Sequence, residues 1–156
     1  GVSVKYSCEI LSRFPGVKRR METLYNEDDF VLYDDFAHHP TAIETTLAGL
    51  RQKAAKSRIV AVIEPRSASM RLGVHNERLG PSVASADHVL WYCDNNVGQG
   101  IHRAMDGSAV SYEVIDQSEM LLNRCLEFAK SGTHMVVMSN GGFQGLQAKL
   151  VECLKS

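Results

Sequence analysis

Two acids and two histidines fall within six consecutive positions of the segment Tyr33-Asp34-Asp35-Phe36-Ala37-His38-His39-Pro40-Thr41-Ala42-Ile43. Carboxylates accept hydrogen bonds from hydroxyls and amides, and imidazoles exchange protons near neutral pH or ligate metals. The group stands between an apolar run, Phe30 to Tyr33, and a stretch with helical periodicity. Pro40 suits a first helical turn, where its missing N–H would be unpaired anyway. Strand, polar turn and helix is the arrangement that α/β proteins use to hold small anionic ligands. Plainer uses compete with that one. Asp34 or Asp35 can cap the following helix. A metal set of Asp35, His38 and His39 is disfavoured, because adjacent histidines point in different directions and helical zinc pairs are spaced to share one face.

Such groups need a frame, and the rest of the chain supplies one. Residues 4–13 have the pattern of a short amphipathic helix, ended by the breaker Phe14-Pro15-Gly16. Met21 to Leu24 and Phe30 to Tyr33 form a hairpin across Asn26-Glu27-Asp28-Asp29. Ile43, Leu47, Leu50 and Ala54 share a helical face. Ile59 to Ile63 is a β-branched run of the kind buried on both faces of a sheet. A helix over 74–85, kinked near Gly80-Pro81, precedes a strand at Val89 to Tyr92. A Gly- and Asn-containing loop over 94–108 leads to a strand at Val110 to Ile115. A helix over 120–130, a strand at Met135 to Met138 and a helix over 144–154 complete the chain. Strands alternating with helices predict a three-layer, Rossmann-like α/β fold with a mainly parallel sheet and an N-terminal hairpin. The residues just past the strands are then Asp34-Asp35, Glu64-Pro65-Arg66-Ser67, Asp94-Asn95-Asn96 and Ser139-Asn140-Gly141-Gly142. All fall on the carboxyl edge, where open α/β sheets bind ligands.

Arg66, between Pro65 and Ser67 after a buried strand, suits a carboxylate or phosphate better than a surface ion pair. Ser139 to Gly145 is glycine-rich but has neither GxGxxG nor a Walker lysine, so as a nucleotide motif it is weak. The run Lys18-Arg19-Arg20 is either a solvated hinge or the source of an arginine that folds over a nucleotide. The 156 residues suffice for one domain, with 44% hydrophobic and 22% charged residues. A net charge of −1 gives no electrostatic case for nucleic acid or membrane. No stretch has the length of a membrane span and no signal-peptide pattern opens the chain. The dispersed Cys8, Cys93, Cys125 and Cys153 fit reduced thiols and a cytoplasmic location.

Four strings in order, GVKRRME (Gly16 to Glu22), YDDFAHHPTAI (Tyr33 to Ile43), EPRSASM (Glu64 to Met70) and MSNGGF (Met138 to Phe143), resemble the C-terminal domain of the Mur ligases. Within that family, EPRSASM and SNGGF point to the branch joining the tripeptide L-Ala-γ-D-Glu-meso-diaminopimelate to UDP-N-acetylmuramate in peptidoglycan recycling. A variant of DDFAHHPT is shared with the L-alanine-adding branch, which is the sibling alternative. The resemblance implies a carboxylate activated by ATP and Mg2+ as an acyl phosphate before an amine attacks. It implies ATP contacts from Arg20, Asp35, His38 and His39, with Asp35 accepting from ribose hydroxyls, and peptide contacts from Arg66, Ser67, Ser139 and Asn140. It makes residues 1–15 the tail of a preceding ATPase domain and its hinge, and residues 16–156 the C-terminal domain. The chain contains no GxxxxGK[ST], so the fragment alone is expected to bind no cofactor tightly and not to ligate. Its catalytic groups and Mg2+ site would belong to the missing domains. A noncatalytic α/β binding module and a metal-dependent hydrolase are the readings from other classes.

Overall fold

The computed structural model describes residues 3–12 and 17–156. The breaker Phe14-Pro15-Gly16, and with it the expected domain boundary and hinge, lies outside them. After a first helix, α1 (Val4–Ser12), come β1 (Glu22–Glu27), β2 (Phe30–Asp35), α2 (Pro40–Ala54), β3 (Arg58–Ile63), α3 (Ala68–Arg71), α4 (Asn76–Ser82) and β4 (His88–Tyr92). The second half holds α5 (Asn95–Ala104), β5 (Ser111–Ile115), α6 (Ser118–Phe128), β6 (Thr133–Met138), a 3-10 turn (Phe143–Gly145) and α7 (Leu146–Lys155).

The six strands lie in the order β1-β2-β6-β3-β4-β5, and only the β1–β2 pair is antiparallel. Asp28 and Asp29 form the two-residue hairpin turn with φ of 51° and 60°, the left-handed pair whose twist matches the flanking strands. Alternate residues of the parallel strands feed two cores. Ile59, Ala61 and Ile63 pack with Ile43, Leu47 and Leu50 of α2, Leu79 of α4 and Ile101 of α5. Val60 and Val62 pack with Leu121 and Cys125 of α6 and Leu146 and Leu150 of α7. The predicted layering is therefore present, with β3 buried on both sides.

Strand β1 runs on to Glu27, so that Asn26 and Glu27 belong to it and not to the turn. The helix expected over 74–85 is confined to Asn76–Ser82, and α3 is an addition. Two further differences bear on the site. Asp34 and Asp35 are the last residues of β2 rather than a turn beyond it. The segment expected as a loop over 94–108 contains the ten-residue helix α5. Its asparagines and glycines are poor helix formers, yet tertiary packing decides. The Asp94 side chain caps the helix by accepting from Val97 N at 3.1 Å. Gly98 lets it close on the sheet: a Cβ there would stand 3.1 Å from Val114.

Candidate functional site

The helix after β2 covers one face of the sheet and the helix after β6 covers the other. Such a change of side opens a crevice at the strand carboxyl ends. Register sets the three ends level: Asp35 pairs with Met138, and Met138 with Ile63. Ser139 N donates to Asp35 O at 3.2 Å, and Glu64 N to Met138 O at 3.1 Å. Asp35, Ser139 and the Glu64–Arg66 segment thus form one continuous rim.

Asp35 is only 3% exposed, and its carboxylate is held from within. It accepts from Ala37 N and Met21 N, each at 2.8 Å, and from Thr46 Oγ1 at 3.4 Å. About one of a carboxylate's four acceptor positions remains. Much of its work is therefore internal, tying the end of β2 to the segment before β1. Asp34 accepts from Arg19 Nε at 3.1 Å and Gln147 Nε2 at 3.1 Å. Neither acid caps α2, whose N-cap His39 makes no side-chain cap.

Arg19 is the anchor that sequence reasoning missed. Its Nη2 donates to Ser139 O at 2.6 Å, its N–H to Glu22 Oε2 at 2.8 Å, and its carbonyl accepts from Phe36 N at 2.8 Å. Arg19 and Met21 both hold left-handed backbone, φ 56° and 50°, a conformation uncommon outside glycine that persists only when surroundings over-determine it. Here the surroundings are Asp34, Asp35, Glu22 and Ser139. The clip leaves Arg20 exposed at the rim, its guanidinium 5.7 Å from the Phe36 ring centroid. Three consecutive cations carried no signal saying which would fold inward.

The two histidines diverge. His38 Nδ1 lies 2.9 Å from Phe36 O and its ring stands edge-on to Phe36. His39 instead meets His75, ring centroids 4.4 Å apart. Burial, and then the neighbouring His75, Arg78 and His38, lower its pKa. Among the described residues no three His, Cys, Asp or Glu side chains gather as a metal set.

Next to the rim, a cleft of about 650 Å³ runs along the ends of β3, β4 and β5, lined among others by Glu64, Arg66, Arg71, Asp94, Asp116 and Gln144. Arg66 is exposed and lies across Gly141, where a Cβ would come within 2.8 Å of its Cζ and 2.9 Å of its Cδ. Among the described residues its guanidinium has no carboxylate partner, whereas Arg71 stands 3.7 Å from Asp94. Ser67 caps α3, accepting from Met70 N at 3.4 Å. Ser139, expected at the ligand, is fully buried; its hydroxyl donates to Glu64 Oε2 at 2.5 Å and accepts from Gly141 N at 2.9 Å. Asn140 Oδ1 is buried and has no hydrogen-bond partner among the described residues. Cys93, also in the cleft, has its thiol pushed up to about 11, by burial first and then by Asp94 and Asp116. It is a protonated wall, poorly suited to act as a nucleophile.

Comparison with known proteins decides the family. The model of the Mur ligase glutamate ligase domain matches residues 19–141. The chain belongs to the Mur ligase family. It is 36% identical over 155 residues to the UDP-N-acetylmuramate–L-alanyl-γ-D-glutamyl-meso-2,6-diaminoheptandioate ligase of Escherichia coli K12, covering 99% of this chain and 34% of that protein. The crystal structure of a murein peptide ligase from Psychrobacter arcticus superposes with a TM-score of 0.80 at 42% identity, over 99% of this chain and 33% of the other. A domain from a Haemophilus ducreyi protein described as a putative ligase of the same kind gives 0.71 at 34% identity, over 86% of this chain and 99% of that one. This Mur ligase chain thus spans about a third of the length of its complete relatives, and the Haemophilus ducreyi domain was crystallised without the remainder. Mur ligases are ATP-dependent and use Mg2+. The strings that carry the resemblance, from Arg19 to Ser139, are those that build the rim.

Proposed function

We propose that this chain is the peptide-binding, nucleotide-closing domain of a ligase that joins L-Ala-γ-D-Glu-meso-diaminopimelate to UDP-N-acetylmuramate. The observation that carries this is the placing of two arginines that have no carboxylate partner among the described residues, Arg20 on the rim and Arg66 where the rim meets the cleft. Arg20, held out by the Arg19 clip beside Phe36, faces a nucleotide phosphate. Asp35, with its remaining acceptor position, takes a ribose hydroxyl, and His38 and His39 flank the same end. Arg66 grips a peptide carboxylate through two parallel N–H donors, while Asn140 offers its unpaired carbonyl. Ser67 and Ser139 act one step back, by capping α3 and by fixing Glu64 and the Gly141 turn. Relatives over nearly the whole chain carry the tripeptide activity in their names.

ATP supplies the phosphoryl group that turns a carboxylate into an electrophile. This domain brings the amine and keeps it in line, a proximity effect that replaces a bimolecular encounter. The described residues hold no carboxylate set for Mg2+, which we assign, with the phosphate cradle, to domains preceding residue 16. UDP-N-acetylmuramate also belongs there.

Calorimetric titration separates the branches. The tripeptide is expected to saturate the chain and L-alanine not to. Saturation by L-alanine alone would move the chain to the L-alanine-adding branch, and binding of neither would leave a module without this function. Mixed with ATP, Mg2+, UDP-N-acetylmuramate and tripeptide, the 156-residue chain should release no phosphate above background. Sustained turnover would refute the division of labour.

A further inference from the structure

Glu64 is the acid at which the rim meets the cleft. Its half-buried carboxylate lines the cleft, with Oε2 held at 2.5 Å by the hydroxyl of Ser139, itself fully buried. Ser139 in turn is bonded through its N–H to Asp35 O and through its carbonyl to Arg19. The carboxylate is therefore fixed relative to the end of the rim assigned to the nucleotide. Arg66 stands only two positions along the chain, yet among the described residues the two do not pair. Arg66 is drawn over Gly141, and Glu64 is drawn toward Ser139. A cation and an anion kept apart on one wall suit a ligand that carries both charges.

We infer that Glu64 receives the ammonium group of the alanyl residue, and that this fixes the direction of the peptide along the carboxyl edge. The inference rests on the peptide-ligase reading above. The attacking nitrogen has to lie at the end of the cleft closest to the nucleotide, and Glu64 is the acid there. The first carboxylate then meets Arg66, and the remainder of the peptide runs past Tyr92 and Asp94 toward Asp116 at the end of β5, all cleft residues. The opposite direction would put the attacking nitrogen beside Asp116, beyond the ends of β3 and β4 from the rim. Glu64 acts as a specificity residue in this arrangement: it accepts hydrogen bonds from the ammonium of the bound peptide, which releases one proton to solvent before its nitrogen attacks.

The test removes the ammonium without adding bulk. The chain is titrated with L-Ala-γ-D-Glu-meso-diaminopimelate and with the analogue that has propionyl in place of L-alanyl, using wild type, Glu64→Gln and Arg66→Ala. Glu64→Gln keeps an acceptor for Ser139 and so preserves the pin. Loss of the ammonium is expected to weaken wild type and Arg66→Ala by about tenfold or more, the order for a charge-assisted hydrogen bond, and Glu64→Gln less than twofold. Equal loss in Glu64→Gln and wild type would overturn the assignment while leaving the peptide-ligase reading intact. Indifference of wild type to the analogue would do the same, without reliance on any variant. If wild type binds neither peptide at millimolar concentration, both readings fall.

Discussion

Arginine meets carboxylate at both ends of this sheet, with opposite outcomes. Toward the amino ends of the strands, Arg124 of α6 forks onto Glu113 of β5, Nη2 to Oε1 at 2.7 Å and Nε to Oε2 at 2.9 Å, and also pairs with Glu127. His88 Nε2 reaches Glu113 Oε1 at 2.9 Å, and Arg58 and Arg124 both lie against the Phe128 ring. The Arg124 hydrogen bonds hold the Glu113 carboxyl below its usual range. At the carboxyl end, Glu64 and Arg66 share a wall and stay apart. The same residue types thus make a closed network in one place and, in the other, a pair that among the described residues stays open along a cleft. The carboxyl edge also holds paired charges, Arg19 with Asp34 and Arg71 with Asp94, so the contrast lies with Arg66, which among the described residues has no carboxylate partner.

That contrast breaks most readily at Arg66. Arg66→Ala should lower tripeptide affinity by about a hundredfold, the loss of a bidentate carboxylate contact, and change unfolding free energy by less than about 0.5 kcal/mol, as for an exposed side chain. Paired calorimetry and urea titrations check both halves. A variant with normal affinity and reduced stability would turn Arg66 into a structural group like Arg124. Ser139→Ala probes the buried support of the same wall. It strands Gly141 N and one oxygen of Glu64, so about 2 kcal/mol of stability should be lost, and peptide affinity should fall with it. Unchanged affinity would show that Glu64 needs no pin.

The framework of this division was legible in the sequence. The β-branched run Ile59 to Ile63, the apolar face of α2 and the strand–helix alternation place the Asp35, Arg66 and Ser139 positions on one edge without coordinates. What stayed hidden depends on contacts distant along the chain. Helix α5 closes on the sheet because Gly98 fits against Val114, a contact absent from the local propensity of Asn95 to Gly100, while its Asp94 cap is local and was there to be read. Arg19 rather than Arg20 turns inward because Asp34 and Ser139 O, 15 and 120 residues away, converge on it. The resemblance made Ser139 a peptide contact, and only the structure shows its hydroxyl bonded to Glu64 Oε2 and Gly141 N.

Arg124→Ala carries the contrast to the other end. Glu113 is about a third exposed, so water replaces part of what is lost, and the expected cost is about 1 kcal/mol. Peptide affinity should be untouched, since the network lies away from the cleft. A binding defect in Arg124→Ala would mean that the two ends are coupled.

The smallest effect is the most discriminating about the closed network, because two forces act on His88 with opposite sign. Burial lowers its pKa from the ordinary value of 6.5, Glu113 raises it, and Arg58 and Arg124 lower it; the net direction is down. In the folded state His88 therefore gives up its proton more readily than in the unfolded chain. Where the unfolded chain binds more protons, stability rises with pH. The contribution is fully present above pH 6.5 and is lost as pH falls through the folded-state value. Glu113, also lowered, loses its contribution in the same direction at still lower pH, below its ordinary 4.5. His39 and His134, both lowered chiefly by burial, add to the slope near neutrality. Urea midpoints should accordingly drop between pH 7.5 and pH 5.5, and His88→Gln should flatten part of that drop. A midpoint that rises on acidification, and whose rise disappears in His88→Gln, would mean that the charged His88–Glu113 pair outweighs burial, so that the network is held by ion pairing and not by exclusion of water.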